Sequence, residues 1–367
     1  MDYEQHNPIP VPEAGDHKAV KATTETIFDW EYALAQKNLL SLYEKGKNAT
    51  WNASDVDWSS YLSLEERVAK RLNADDPTLN DTLNPPRNLN LDERLELGQN
   101  LNAFLLSQFL HGEQGALIAT AKIVQTVPSA EAKFYAANQV ADEARHVEVY
   151  HRYLTEKLGT SFEINKSLEQ LLDAIVQDPR WDMTCLGMQV MVEGLALAAF
   201  GMMKFLMPDE PLIIDLTDRV IGDEARHVAF GVLSLEKLYP GQLTPAELRE
   251  REEFVIGATE LLRDRLELTQ VFERLGWDVD EWTQWADQTP FMRGFRQMTF
   301  SKVVPNLKRL GLLSPRVRDA YQKLGILKYE MMADSVEEPA PPTPEELARY
   351  LAEQIAGGAP ETTTHSG

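Results

Sequence analysis

One pentapeptide occurs twice in this chain: Asp142-Glu143-Ala144-Arg145-His146 returns 81 positions later as Asp223-Glu224-Ala225-Arg226-His227. Each copy sets a glutamate three residues before a histidine. On an α-helix such residues share one face about a turn apart, so each copy can offer an oxygen and an imidazole nitrogen to one point. A single Glu-x-x-His on a helix is ordinary and fits a solvated salt-bridge ladder. The flanking sequence argues for more. Glu113 precedes Glu143 by 30 residues and Glu193 precedes Glu224 by 31, so a unit of glutamate, long connection and Glu-x-x-His is itself duplicated.

Those earlier glutamates lie in apolar surroundings, Glu113 among Phe109, Leu110, Ala116, Leu117 and Ile118, and Glu193 among Met188, Val190, Met191, Val192 and Leu195. Burying an unpaired carboxylate costs several kcal/mol, so its proton affinity must rise or a cation must neutralise it. Two divalent ions offset four glutamates, leaving the site formally neutral in a low-dielectric interior. The candidate ligands are therefore Glu113, Glu143, His146, Glu193, Glu224 and His227. Mixed carboxylate and imidazole donors suit iron or manganese, with two iron ions the first choice and a Mn/Fe pair allowed. Asp142 and Asp223 are placed to accept the remaining ring N–H of a ligating histidine, crossing over so that Asp142 orients His227 and Asp223 orients His146. Arg145 and Arg226 then pair with these aspartates and keep them ionised.

The rest of the chain predicts an all-α fold. Apolar residues recur at three and four over long windows, and Asn-Gly or Asp-Gly hairpin signals are missing. Helices are expected over roughly 27–47, 91–127, 129–158, 183–206, 211–238, 245–275 and 292–310. Residues 1–24 read as a flexible lead-in, 25–332 as one domain with its metal-binding bundle at about 91–238, and 333–367 as a loosely attached tail. Thr343-Pro344-Glu345-Glu346 in that tail has the form of a capping box and suggests a short helix at about 344–356. Small residues flank the glutamates, Gly112, Gly115, Ala116, Gly194, Ala196 and Gly201 among them, and fit either close helix packing or a cavity beside the metals.

Acidic residues outnumber basic ones by 58 to 36, for a net charge of -22, which disfavours nucleic acid and anionic membranes as partners. Cys185 is the only cysteine, so no intrachain disulfide forms and a cytoplasmic location is expected. The segment from Met1 to Lys21 does not read as a signal peptide. The greasy stretch from Cys185 to Met207 carries Glu193 and Lys204 and reads as a buried helix.

At Glu113, Glu143, His146, Glu193, Glu224 and His227 the chain resembles the ferritin-like diiron-carboxylate proteins. The nearest branch holds ribonucleotide reductase small subunits and bacterial multicomponent monooxygenase hydroxylases. The six residues match that family's ligands in order and type, over a resemblance spanning roughly residues 27–310. The stretch from Leu42 through Trp51, Asp57 and Trp58 is similar to the amino-terminal region of such oxygenases. The resemblance implies a ferritin-like four-helix bundle extended by further amino- and carboxy-terminal helices. It also implies O2 activation with electrons supplied from outside, and a homodimer. Since no dinucleotide fingerprint or cysteine cluster is present, a separate ferredoxin or flavin reductase is implied as electron donor.

Two positions depart from the family pattern. Tyr150 follows Glu143 by two turns, where reductase small subunits carry a radical tyrosine, although an amphipathic core tyrosine with a satisfied hydroxyl is the favoured reading. Leu197 stands where the multicomponent hydroxylases have a threonine. The expected function is a diiron oxygenase that hydroxylates, N-oxygenates or desaturates a small or medium organic substrate. The alternatives are a radical-generating small subunit acting through Tyr150, and a ferroxidase or iron-binding protein, which the length of the chain disfavours.

Overall fold

Asn90 opens the longest helix by accepting a hydrogen bond from the Glu93 amide, and Glu93 reaches back to the Asn90 amide at 2.9 Å. The computed structural model describes residues 18–73, 85–343, 345–349 and 352. Within them the helices are α1 Lys37–Asn48, α2 Leu64–Asn73, α3 Leu91–Thr126, α4 Ala130–Arg152, α5 Lys166–Gln177, α6 Trp181–Cys185, α7 Glu193–Leu206 and α8 Pro211–Leu235. They continue with α9 Tyr239–Gln242, α10 Pro245–Asp264, α11 Thr269–Leu275, α12 Val279–Gln288, α13 Pro290–Met298, α14 Val303–Arg309 and α15 Pro315–Lys323. No strand occurs among the described residues.

Four rods form the bundle: α3, α4, α8, and a third rod made of α6 and α7 joined by the π-helical turn Leu186–Val192. The 36 residues of α3 span about 54 Å. Ser129 caps α4, and Glu210, itself fully buried, caps α8 through the Leu212 and Ile213 amides while accepting the Tyr153 hydroxyl at 2.8 Å. A second π-helical turn, Tyr153–Leu158, prolongs α4 and ends at Gly159 with φ +65, a left-handed conformation that glycine adopts without a Cβ penalty. The helices outside this bundle extend it at both ends of the chain, giving the all-α architecture expected from the sequence.

The third rod contains the greasy stretch from Cys185. Trp181–Lys204 is long and apolar enough to cross a bilayer, but 94% of its most apolar window is buried inside the protein, and it carries Glu193. It is a core helix. Met188, Met191, Met202 and Met203 are buried in that core.

Four expectations need correction, one being the helix expected over 292–310, which breaks at the 3-10 turn Thr299–Ser301 between α13 and α14. Helix was expected from Ile27, yet α1 begins at Lys37, because tertiary acceptors take the backbone donors before it. Glu131 accepts from the Ala35 and Gln36 amides at 2.6 and 2.9 Å, and Ile27 donates to the Gln125 carbonyl at 2.9 Å. Asp29 in turn accepts the Ala130 amide at the start of α4. The expected helix 245–275 is broken between α10 and α11, where Leu266 and Glu267 donate to carbonyls three residues back, tightening the chain into a turn. No glycine or proline marks that break in the sequence.

The segment expected to be loose from 333 is instead docked in its first part. Ser335 donates its amide to Asn306 at 2.9 Å and accepts the Asn306 side chain at 3.0 Å, and Arg309 bridges Glu236 and Asp334. The capping box closes through Thr343 and Glu346, and Leu347 is buried against the main core. Residues 1–17, Pro344, Tyr350, Leu351 and 353–367 lie outside the described residues.

Candidate metal centre

Each rod brings its own donors. Glu113 comes from the middle of α3, Glu143 and His146 from α4, Glu193 from the first turn of α7, and Glu224 and His227 from α8. All six are buried, and the two histidines and Glu143 are wholly inaccessible. The π-helical turn sets the direction of Glu193, whose amide bonds to the Met188 carbonyl five residues back and so rotates the start of α7 relative to an uninterrupted α-helix.

Donor atoms of Glu113, Glu143, His146 and Glu224 lie within 4.8 Å of one another, and so do those of Glu143, Glu193 and His227. His146 Nδ1 faces Glu113 Oε2 at 3.2 Å, Glu224 Oε1 at 3.2 Å and Glu143 Oε2 at 3.5 Å. His227 Nδ1 faces Glu143 Oε1 at 3.1 Å and Glu224 Oε1 at 3.4 Å. Glu143 and Glu224 thus reach both imidazoles, whereas Glu113 serves the His146 side and Glu193 the His227 side.

The aspartates cross over as the sequence suggested. His146 Nε2 meets Asp223 Oδ2 at 3.2 Å, and His227 Nε2 meets Asp142 Oδ2 at 3.3 Å. Arg145 pairs with Asp142, and Arg226 with Asp223, each three residues along its own helix. With Nε2–H donated to an aspartate, each ring turns its Nδ1 toward carboxylate oxygens, where either a proton on that nitrogen or a bound cation must stand between them. Several inward atoms also have no aligned hydrogen-bond partner: Glu143 Oε2, Glu193 Oε2, both oxygens of Glu224, and His227 Nδ1. Orphaned buried oxygens are rare because each costs about 1–3 kcal/mol. The donor set fits two divalent ions, and it can hold them.

The electrostatics agrees. Burial, reinforced by Glu224, pushes the Glu113 carboxyl up to about 8. Burial together with Glu143 and Glu224 raises Glu193 strongly. Glu143 moves the other way, because the His227 and His146 imidazoles outweigh its burial. Burial would depress both histidines, but Glu113 beside His146 and Glu143 beside His227 lift each well above the ordinary range. Asp223 is held at about 2, since its bond to His146 overcomes its burial. Without cations, protons must do the neutralising.

Several neighbours escaped the sequence reading. Gln139 Nε2 donates to Glu143 Oε1 and Glu193 Oε1, both at 2.9 Å, locking two carboxylates from different helices; its position four residues before Glu143 was the available signal. Trp51 was recognised as part of an oxygenase-like stretch, but not for what it touches. Its Nε1 donates to Asp223 Oδ2 at 2.8 Å, and its ring lies 6.4 Å from that of His146 and beneath the Arg145 guanidinium. Asn138 donates to Asp142 Oδ2 at 3.1 Å.

Tyr150 is buried, stacks on Phe200 and packs near Phe109, and its hydroxyl has no hydrogen-bond partner. Burial, with Glu113, raises its phenol well above the usual range. Tyr135 is similarly buried and unpartnered against Phe230 on the His227 side. His151 is exposed and takes no part in the centre.

A small pocket opens beside the carboxylates, walled by Phe109, Gly112, Ala116, Val192, Ala196 and Arg265. Both readings of the small residues therefore hold. Gly112, Ala116 and Ala196 leave space, whereas Gly115 admits Leu172, and Gly201 admits Pro341 and the Pro342 carbonyl, where a Cβ would crowd them.

Fold and site together define a four-helix bundle with a carboxylate- and histidine-lined centre for two metal ions. Among solved structures the chain is similar to an R2-like ligand-binding oxidase with an aerobically reconstituted Mn/Fe cofactor, at 15% identity and TM-score 0.40, covering 89% of this chain and 92% of that one. A point mutant of that oxidase with an aerobically reconstituted Fe/Fe cofactor matches at 14% identity and TM-score 0.40, covering 90% and 93%. No protein-family model and no curated protein matches the chain.

Proposed function

We propose that the protein is a dimetal oxidoreductase that activates O2 to oxidise a small or medium organic substrate. The observation that carries this reading is the convergence of four buried glutamates and two aspartate-oriented histidines in two overlapping groups, with several of their inward atoms unpartnered. Glu113, Glu143, His146, Glu193, Glu224 and His227 would hold the ions. Two iron ions, or a Mn/Fe pair, would supply the redox chemistry with O2 that protein side chains lack.

The chain's own residues do the positioning. Asp142 and Asp223 hold the imidazoles with Nδ1 inward, Gln139 fixes Glu143 and Glu193, and Trp51 and Asn138 steady the two aspartates. The apolar pocket walls exclude water from the reacting face. Electrons come from a separate ferredoxin or flavin reductase. A homodimer is part of this reading, and the exposed Phe28, Trp30 and Tyr32 offer aromatic surface for a second copy to bury; light scattering returning a monomer mass would remove that part.

The test is metal content first and O2 reactivity second. The full chain should take up two iron ions, and Glu113→Ala, Glu193→Ala or His227→Ala should each lower that number. Full occupancy in all three variants would refute the ligand assignment. O2 added to the anaerobic ferrous protein should oxidise the iron without releasing it; release would favour a ferroxidase. A second reading, a radical-generating subunit, is favoured by the unpartnered Tyr150 hydroxyl near Glu113. A tyrosyl electron-spin signal after O2 that vanishes in Tyr150→Phe would select it.

A further inference from the structure

Three apolar clusters meet at one place without closing on it. Leu266 and Phe295 belong to the main core, Met207 to a second cluster, and Phe104, Phe272 and Ala286 to a third, and all six wall a cavity of about 300 Å³. One face of α3 adds Leu97, Leu101 and Leu105, spaced four residues apart, and all three stay only partly buried. A packed interior leaves few gaps larger than a water molecule, whereas this volume falls within the range of small-molecule sites, about 300–1,000 Å³. The cavity is separate from the metal centre. It shares no wall residue with the small pocket beside the carboxylates, and Leu105 lies about 12 Å along α3 before Glu113.

The polar part of the wall decides what charge the cavity accepts. Arg67 is its only charged residue, and Nη1 of that arginine lies 3.5 Å from Asp209 Oδ1. Buried Glu210 is a second carboxylate close by, since its charge and that of Arg67 reach the same Tyr61 and Tyr153 phenols. The arginine is thus already answered, and an anion entering here would meet no spare positive charge. Thr289 is also satisfied, donating its hydroxyl to the Ala286 carbonyl and accepting the Met292 amide. Asn102 differs: its side-chain amide makes no hydrogen bond with a described residue. It offers a neutral donor and a neutral acceptor beside an otherwise apolar wall.

We propose that this cavity is a binding site for an uncharged aromatic compound that sets one carbonyl oxygen against the Asn102 amide. Phe104, Phe272, Trp285, Phe291 and Phe295 in the wall suit a ring, which they can meet by edge or by face. Binding here goes beyond the dimetal reading and does not depend on it, because none of the six candidate ligands of the ions lines the cavity.

The experiment uses the full-length chain, once metal-free and once loaded with ferrous iron under anaerobic conditions. Equilibrium dialysis measures the binding of 2-acetylnaphthalene, 2-ethylnaphthalene and 2-naphthoate, which share a ring system and differ in polar group and charge. The ketone should bind equally to both forms of the protein, and the acid at least about 10-fold more weakly than the ketone. Asn102→Leu should lower the ratio of ketone to hydrocarbon affinity about 10-fold, and Leu101→Trp, which fills the space, should abolish binding of the ketone. No binding of the ketone, an acid that binds as tightly as the ketone, or binding that requires iron would each overturn the proposal. So would an affinity ratio unchanged in Asn102→Leu, or ketone binding that survives Leu101→Trp. The comparison of ketone with acid and of metal-free with loaded protein needs no variant, so it decides the matter even where a substituted chain fails to fold.

Discussion

At the residue scale the centre is held by duplicated contacts. Each histidine has an aspartate behind it, each aspartate an arginine, and one tryptophan or asparagine reinforces each aspartate. The same crowding makes metal uptake pH-dependent. Glu113 keeps its proton up to about pH 8 without cations, and a ligating carboxylate must give that proton up. Below pH 8 the proton therefore competes with the ion. Affinity for ferrous iron should rise with pH through about 8, with Glu193, His146 and His227 adding to the slope of Glu113, and Glu113→Gln should flatten part of that slope as well as weaken binding. Titration with a chelator at several pH values checks it; a slope unchanged in Glu113→Gln would show that another group takes up the proton. The six candidate ligands stood out in sequence because several glutamates set in apolar runs at matched intervals can be buried together only around shared cations or protons. The buried position of Arg265 beside them did not, since nothing in its local sequence, Asp264-Arg265-Leu266, sets it apart from a surface charge.

At the element scale, the four rods were legible because long amphipathic or wholly apolar windows leave a helix little alternative. The π-helical turn before Glu193 was hidden, because one residue inserted into a fully apolar run changes no periodicity that can be read. It is held from outside. Gly231 on α8 approaches so closely that a Cβ there would lie 2.5 Å from Gln189 Cβ, and the Gln189 side chain in turn donates to Thr120 on α3 at 3.1 Å. Gly231→Ala should therefore push α8 away from this turn. The expected cost is about 1–3 kcal/mol in denaturant unfolding, with lowered iron content, since Glu193 and Glu224 lie on the two elements forced apart. A variant as stable and as iron-rich as the parent would mean that the rods adjust freely.

At the scale of the whole molecule, distant segments close the bundle. The chain before α1 is strapped to the α3–α4 connection through Asp29 and Glu131, and the chain after Met332 is bolted to α14 through Asn306 and Arg309. Asn306→Ala would orphan both the amide and the hydroxyl of the buried Ser335. Thermal unfolding should fall by an amount equivalent to about 1–3 kcal/mol with iron stoichiometry unchanged, and loss of metal in that variant would show that the carboxy-terminal segment shapes the centre directly. The sequence by itself determined which side chains must converge, because burying four glutamates and two histidines in helices demands a common counter-charge, and charge balance is a property of composition and spacing. Only the tertiary structure decided where the helices break, which backbone donors are taken before a helix can start, and which guanidinium ends up buried beside the centre, because those outcomes depend on partners far away along the chain competing for the same hydrogen bonds and space.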